Sequence, residues 1–257
     1  AWAAPNGRAV FGHRRLAIID LSDTAAQPMQ DAQGAACLTY NGEIYNHREL
    51  RAELEAQGRL FKTDHSDTEV ILQGYLAWGM DGLLARLNGI FAFALHDLRS
   101  GETYFVRDQV GVKPLYFAWA RGGLAFASEI KALLALPGFR ATLSPAAAYH
   151  YLTFMAAPAP LTMFEGVYKL PAGWLMRVDA DGAAQARRYF APWPSNALDT
   201  LPEKEREARV REVLRASVRR QLLADVPVGL FLSGGVDSTA LLAIASEVNG
   251  APPDTFS

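Results

Sequence analysis

Cysteine is nearly missing from this chain. Cys37 is the only one in 257 residues, which excludes a disulfide framework and any multi-cysteine zinc cluster within the sequence. An excess of positive charge is missing too. The 25 Lys and Arg against 27 Asp and Glu leave a formal charge of −2, so the broad basic footprint of a non-specific nucleic-acid binder is not there, and no nucleic-acid partner is expected. Long hydrophobic runs are also lacking. The longest stretch free of Asp, Glu, Lys and Arg, 141–164, is interrupted by Pro145, Pro158 and Pro160. A membrane-spanning helix needs about 20 mostly apolar residues with a satisfied backbone, so this stretch reads as helix plus loop and no membrane partner is expected. Residues 1–14 carry no apolar core of a signal peptide, and the expected location is the cytoplasm. His13, His47, His65, His96 and His150 show no ligand spacing such as H-E-x-x-H, so no histidine metal cluster is expected.

Apolar material, by contrast, is plentiful. Half of the chain is hydrophobic and 20% is charged, enough for a packed core and incompatible with general disorder. At roughly 150 residues per domain, the length fits one large domain or two smaller ones.

The order of patterns favours two. Strands are expected over 10–20, around the apolar run Leu16-Ala17-Ile18-Ile19, and over 37–45, the latter around Asn41-Gly42, a dipeptide that favours a tight turn. A helix follows with Asn46 as N-cap and Gly58 as its stop. Ser66-Asp67-Thr68-Glu69 matches a capping box and opens a second helix that ends at Gly79. A meander of strands is expected at 90–98, 103–107, 115–119 and 124–127, then helices at 128–136 and 144–154, the second with Ser144 as cap and Pro145 at its first position. Further strands are expected near 167, 174–178 and 187–190. Antiparallel strands covered by helices make an α+β layered sandwich. A Pro/Ser/Asn-rich linker at 192–201 separates residues 1–191 from 202–257. Beyond it an amphipathic helix, 202–224, has Val210, Val213, Leu214, Val218 and Leu222 along one side. A strand (226–232), a glycine loop (233–238), a helix (239–248) and a new strand then follow, as at the start of a parallel α/β domain.

Ser233-Gly234-Gly235-Val236-Asp237-Ser238 is the strongest local signal. Two adjacent glycines let a phosphate approach the backbone, and the following helix offers unpaired N–H groups and a positive dipole end. Ser233 and Ser238 can donate to the same anion. Asp237 makes sense there if a magnesium ion bridges it to the phosphates. Neither the Gly-Lys-Ser ending nor the G-x-G-x-x-G pattern of the common nucleotide loops is present.

This string resembles the PP-loop of ATP pyrophosphatases, and the upstream motifs narrow the match. Gly12-His13-Arg14-Arg15-Leu16-Ala17-Ile18-Ile19-Asp20, Asn41-Gly42-Glu43-Ile44-Tyr45-Asn46, Ser66-Asp67-Thr68-Glu69 and 107–116, from Arg107-Asp108 to Leu115-Tyr116, resemble the glutaminase domain of glutamine-hydrolysing asparagine synthetases. The resemblance covers essentially the whole chain. It implies an N-terminal-nucleophile-hydrolase-like αββα sandwich, followed by the beginning of an adenine nucleotide α-hydrolase-like parallel sheet. It also implies a ligase that hydrolyses glutamine and passes the ammonia to a β-aspartyl-adenylate made from aspartate and ATP with Mg2+, and a homodimer is the expected assembly.

On that resemblance Arg15 meets the glutamine carboxylate with its planar fork, the backbone of Leu16, Ala17, Ile18 and Ile19 lines the pocket, and Asp67 holds the ammonium group. Glu43 completes the strip, and Asn41 with the Gly42 N–H forms the oxyanion hole. Phe231, Leu232 and Ser233 to Ser238 (Ser233, Gly234, Gly235, Val236, Asp237, Ser238) hold ATP and pyrophosphate, with Asp237 meeting Mg2+ through the pyrophosphate. Taken singly, these residues have plainer readings: Arg15 a surface charge, Asp67 a helix-start carboxylate, Asn41-Gly42 a turn. The 107–116 motif is expected to be architecture.

The family's nucleophile is an N-terminal cysteine, and this chain opens on Ala1. Cys37, inside an expected strand and without a flanking base, reads as a core residue. The expectation is therefore a piece of a longer protein, with about 30 further residues before it and a few hundred after it, inactive alone in both half-reactions. Two other readings stay open: a relative that amidates or cyclises another carboxylate, as β-lactam synthetases do, and a silent glutamine-sensing module.

Overall fold

The computed structural model describes residues 1–120, 122–192 and 200–257. These fall into two compact units, Ala1–Arg15 with Ser22–Ala191, and Leu16–Leu21 with Pro192–Ser257. Most of the expected linker, 193–199, lies outside the described residues.

The first unit contains β1 (Trp2–Ala3), β2 (Val10–Phe11), β3 (Met29–Gln30), β4 (Ala36–Ile44), α1 (His47–Ala56), α2 (Asp67–Leu84), β5 (Gly89–Asp97) and β6 (Thr103–Arg107). It continues through β7 (Tyr116–Ala120), β8 (Gly123–Ala127), α3 (Ile130–Leu134), α4 (Pro145–Phe154), β9 (Val167–Lys169), β10 (Trp174–Val178) and β11 (Ala184–Arg188). Six strands form one sheet in the order β11-β10-β6-β5-β4-β3, three form another in the order β8-β7-β9, and β1 pairs with β2. Every pairing in this unit is antiparallel.

Three apolar cores show the layering. Leu38, Tyr40, Ile44, Phe91 and Phe93 of the large sheet pack with Leu50 and Leu54 of α1 and Val70, Ile71 and Leu72 of α2. The opposite face contributes Cys37, Ala92, Ala94, Phe105 and Met176 to a second core with Phe117, Leu124 and Phe126 of the small sheet. A third core joins Ala118 and Val167 of that sheet to Leu133 of α3. The sequence of layers is thus helices, sheet, sheet, helix: an αββα sandwich, with strand residues alternating between two cores because successive side chains point to opposite faces.

Several local expectations are corrected. No strand forms over 12–20 beyond Phe11; Leu16-Ala17-Ile18-Ile19 has no apolar/polar alternation, and Leu16 is 87% exposed. Asn41-Gly42 makes no turn but sits within β4, which pairs with β5 over nine consecutive rungs. The glycine is required there by close approach, since a Cβ on Gly42 would lie 2.1 Å from Ile90 O and 2.7 Å from Phe91 Cα. The capping box does not close. Ser66 makes no cap hydrogen bond, and the Glu69 carboxylate does not reach back to Ser66 N but accepts from Lys62 N, Thr63 N and Thr63 Oγ1. Asn46 likewise does not cap α1; its amide bridges Arg86 O and Asn88 N. The Ser144 cap does form, accepting from Ala147 N with Pro145 at the first helical position, and Gly79, at φ 67°, breaks α2.

The second unit has α5 (Glu203–Gln221), β12 (Leu230–Phe231), α6 (Val236–Asn249) and β13 (Thr255–Phe256), with β12 and β13 parallel. A strand–loop–helix–strand unit with parallel strands is the opening of an α/β sheet. The expected strand over 226–232 shrinks to two residues, which have a two-residue partner in β13. Of the expected apolar side of α5, Val218 is buried while Val210, Val213 and Leu214 are exposed.

Candidate functional site

The candidate site of the first unit is built on the C-terminal half of β4. Cys37 faces the core between the sheets, so Thr39, Asn41 and Glu43 share that face by the two-residue period. Tyr40, Gly42 and Ile44 face the helices.

The backbone has the same period. Phe91 turns its N–H and C=O toward Asp108, so Gly42, opposite Phe91, forms a non-hydrogen-bonded pair and its N–H points away from β5. The N–H groups of Tyr40 and Ile44 point the same way and are taken by side chains: Gln27 Oε1 accepts from Tyr40 N at 2.7 Å and Asp67 Oδ2 from Ile44 N at 3.1 Å. β3 pairs only with Leu38 and Cys37 and does not reach this part of the edge. Gly42 N–H is therefore an outward donor between two occupied neighbours.

Asp67 opens α2 and is 4% exposed. Its Oδ2 also accepts from Tyr40 Oη at 2.8 Å. Burial holds its carboxyl above the ordinary carboxylate range, against the hydrogen bonds from Tyr40 and Ile44 and the nearby His47. Glu43 is pushed up to about 7, first by burial and then by the Asp67 charge, with Lys113 pulling the other way. Tyr45 is raised to about 12 by burial, with Glu43 and Asp108 adding to it. Burial raises both carboxyls, and the Asp67 charge adds to the rise at Glu43, so this corner favours a cation. A ligand ammonium would supply one.

On the other face, His13 Nδ1 lies 3.2 Å from Thr39 Oγ1. Its pKa is lowered first by burial and then by the Arg15 charge. Asn41, Gly42 and Glu43 thus lie with Asp67 at the C-terminal end of β4, while Arg15 is tied to this strand only through its charge on His13, which meets Thr39. Leu16, Ala17, Ile18 and Ile19 group with the second unit, where Asp225 N donates to Ile18 O at 3.0 Å and Asp20 N to Asp225 Oδ2 at 2.7 Å.

The 107–116 motif is scaffolding. Buried Asp108 accepts from Val110 N, Val112 N, Lys113 N and Phe91 N, while the Arg107 guanidinium donates to Lys113 O, Leu170 O and Gly111 O. This loop is what brings Lys113 to Glu43. Cys37 is buried and its thiol pushed up to about 12, burial being the main cause, so it stays protonated at neutral pH and is a core residue. Tyr40, Gln27 and Lys113 were not singled out from the sequence as site residues; the available signal was Tyr40's position two residues before Gly42, on the same face.

In the second unit Phe231 ends β12, and Leu232, Ser233, Gly234 and Gly235 lead into α6, whose first turn holds Val236, Asp237 and Ser238. Ser233 Oγ lies 3.2 Å from Ser238 Oγ, and Ser238 Oγ donates to Gly235 O. Gly234 has φ 76°, and a Cβ there would meet nothing within 4 Å. The loop is therefore an open, exposed bend with two hydroxyls facing each other at the start of a 14-residue helix, a fit for phosphate oxygens. No group of three or more His, Cys, Asp or Glu side chains suited to a metal ion occurs among the described residues.

The glutamine amidotransferase domain family matches residues 2–190 and the asparagine synthase family residues 209–257. A Mycobacterium tuberculosis protein, named provisionally as a glutamine-hydrolysing asparagine synthetase, is 42% identical over 254 residues, covering 95% of this chain and 38% of the relative. Asparagine synthetase 3 (glutamine-hydrolysing) of Bacillus subtilis is 37% identical over 255 residues, covering 96% of this chain and 41% of the relative. This chain thus spans about two fifths of the length of these relatives. A solved glutamine phosphoribosylpyrophosphate amidotransferase of B. subtilis aligns with TM-score 0.44 and 18% identity, over 88% of this chain and 47% of that one. With a match over 2–190 and the asparagine synthase match following it, the chain belongs to the glutamine amidotransferase domain family.

Proposed function

We propose that this chain is the glutamine-binding part, and the start of the ATP-using part, of a glutamine-hydrolysing asparagine synthetase working in the cytoplasm. The observation that carries the reading is the meeting of Glu43 and Asp67 at the strand end from which Gly42 N–H points outward. A free amino acid needs carboxylates for its ammonium, which this end carries, and a cation for its carboxylate, the part Arg15 would take. The side-chain amide would then face the Asn41–Gly42 stretch. When a nucleophile attacks that amide, negative charge develops on its oxygen, and Gly42 N–H with the Asn41 side chain would donate to it. A preorganised donor of this kind supplies about 3–4 kcal/mol of transition-state stabilisation. Cys37 is not the nucleophile, being a buried thiol.

The released ammonia would attack a β-aspartyl-adenylate formed from aspartate and ATP, giving asparagine, AMP and pyrophosphate. Phe231 to Ser238 would hold the phosphates: the backbone of Leu232 to Val236 and the Ser233 and Ser238 hydroxyls would donate, and Asp237 would help hold a magnesium ion that neutralises their charge.

Calorimetry of the 257-residue chain with L-glutamine and with 4-carbamoylbutanoate, which lacks the amino group, tests the first half. Glutamine should bind at least about tenfold more tightly, one charge-assisted contact being worth that much. Equal affinity, or no binding of either, would refute the site. For the second half, a protein carrying the complete synthetase region should convert ATP to AMP and pyrophosphate with aspartate; ADP as the product would overturn adenylation.

A further inference from the structure

We propose that Tyr40 is a positioning residue that tunes the glutamine site through Asp67, an inference that rests on the site proposed above. Tyr40 is 4% exposed and touches both halves of that site. Its phenol donates to Asp67 Oδ2 at 2.8 Å. Its ring stands so close over Gly42 that a Cβ added there would be 2.9 Å from Tyr40 Cε2. Its backbone is pinned as well: Tyr40 N donates to Gln27 Oε1 at 2.7 Å, and Gln27 Nε2 reaches Thr68 Oγ1, next to Asp67, at 3.4 Å. One side chain thus ties the middle of β4 to the first turn of α2.

The chemistry follows from burial. A carboxylate withdrawn from water stays ionised only as far as donors hold it so. Asp67 has the Tyr40 hydroxyl and the Ile44 N–H on the same oxygen, with the Thr68 N–H and His47 adding to them. Of these the phenol is the one donor a conservative change removes cleanly. The other titratable groups around Asp67 are Glu43 on β4 and His47 on α1; Lys113 acts on Glu43, which in turn raises Tyr45. Without the phenol, Asp67 would be protonated over a wider pH range and would meet the ligand ammonium as a neutral acid.

Tyr40→Phe keeps the ring against Gly42 and removes only the hydroxyl. In the 257-residue chain, the Asp67 carboxyl carbon, followed by NMR without ligand, should titrate about one pH unit or more higher in the variant. L-glutamine should bind about tenfold more weakly to the variant at pH 6, while the two affinities converge within about threefold at pH 8.5. In an Asp67→Asn background the same change should alter affinity less than about twofold, since the coupled partner is gone. An unmoved Asp67 titration, or the same loss of affinity at both pH values, would overturn the proposal and reduce Tyr40 to packing. If Asp67 titration moves but the parent chain binds no glutamine at any pH, the glutamine reading falls while the Tyr40–Asp67 coupling stands.

Discussion

Glutamine binding should release a proton from Glu43. In the free protein this carboxyl is raised to about 7 by burial and by Asp67, from an ordinary value near 4.5. The sign follows from linkage: a bound ammonium favours the carboxylate, so the bound-state pKa falls and affinity is lost as pH drops through the free-state value. Well below 7 the Kd should rise about tenfold per pH unit, until the bound-state pKa is reached. Between pH 8 and pH 5.5 that amounts to about 30-fold, or about 2 kcal/mol. Asp67, raised in the same direction, can only steepen the acid limb. Titration calorimetry at pH 6 in two buffers of different ionisation enthalpy counts the protons directly; about 0.9 per glutamine is expected from Glu43 alone. Glu43→Gln should flatten this limb and weaken binding at pH 8. A Kd constant from pH 5.5 to 8 with no proton exchanged would show that no ammonium meets Glu43.

Other perturbations test the surrounding framework. Gly42→Ala drives a Cβ to 2.1 Å from Ile90 O, so β4 and β5 must part; a loss of more than about 3 kcal/mol in urea unfolding is expected, and a loss below 1 would show that the strand pair yields easily. Asp108→Ala leaves four backbone N–H groups without their acceptor and should cost about 3–5 kcal/mol by the same assay, a near-neutral result contradicting the scaffolding role of the 108–113 loop. Gly234→Val places a β-branched residue at φ 76°, a conformation such residues avoid. Pyrophosphate binding, followed by calorimetry, should fall at least about tenfold with glutamine binding unchanged, and undiminished pyrophosphate affinity would remove this bend from the phosphate site.

Legibility from sequence followed how local each determinant was. Ser144-Pro145 announced its helix because cap and first-turn proline act within four residues, and the hydroxyl does accept from Ala147 N. Strands at 103–107 and 174–178 were legible from composition and the punctuation between them. Asn41-Gly42 was misread as a turn for the opposite reason: its local preference is outweighed by nine rungs of pairing with β5, a partner almost fifty residues away. Ser66–Glu69 kept the letters of a capping box, yet Glu69 found three donors at Lys62 and Thr63. The 16–19 run was apolar without alternation, and no partner strand takes it up. At the site, Arg15, Asn41, Gly42, Glu43 and Asp67 came from motif resemblance. The raised carboxyls and the Tyr40 contact depend on burial and on which edge a backbone N–H faces, neither of which a string of letters states.

The most direct measurement is a crystal structure of the chain with L-glutamine. The account predicts the ammonium nitrogen within about 3 Å of carboxylate oxygens of both Glu43 and Asp67, and the side-chain amide oxygen facing Gly42 N–H. A glutamine bound with its ammonium away from both carboxylates, or bound elsewhere on the molecule, would contradict it.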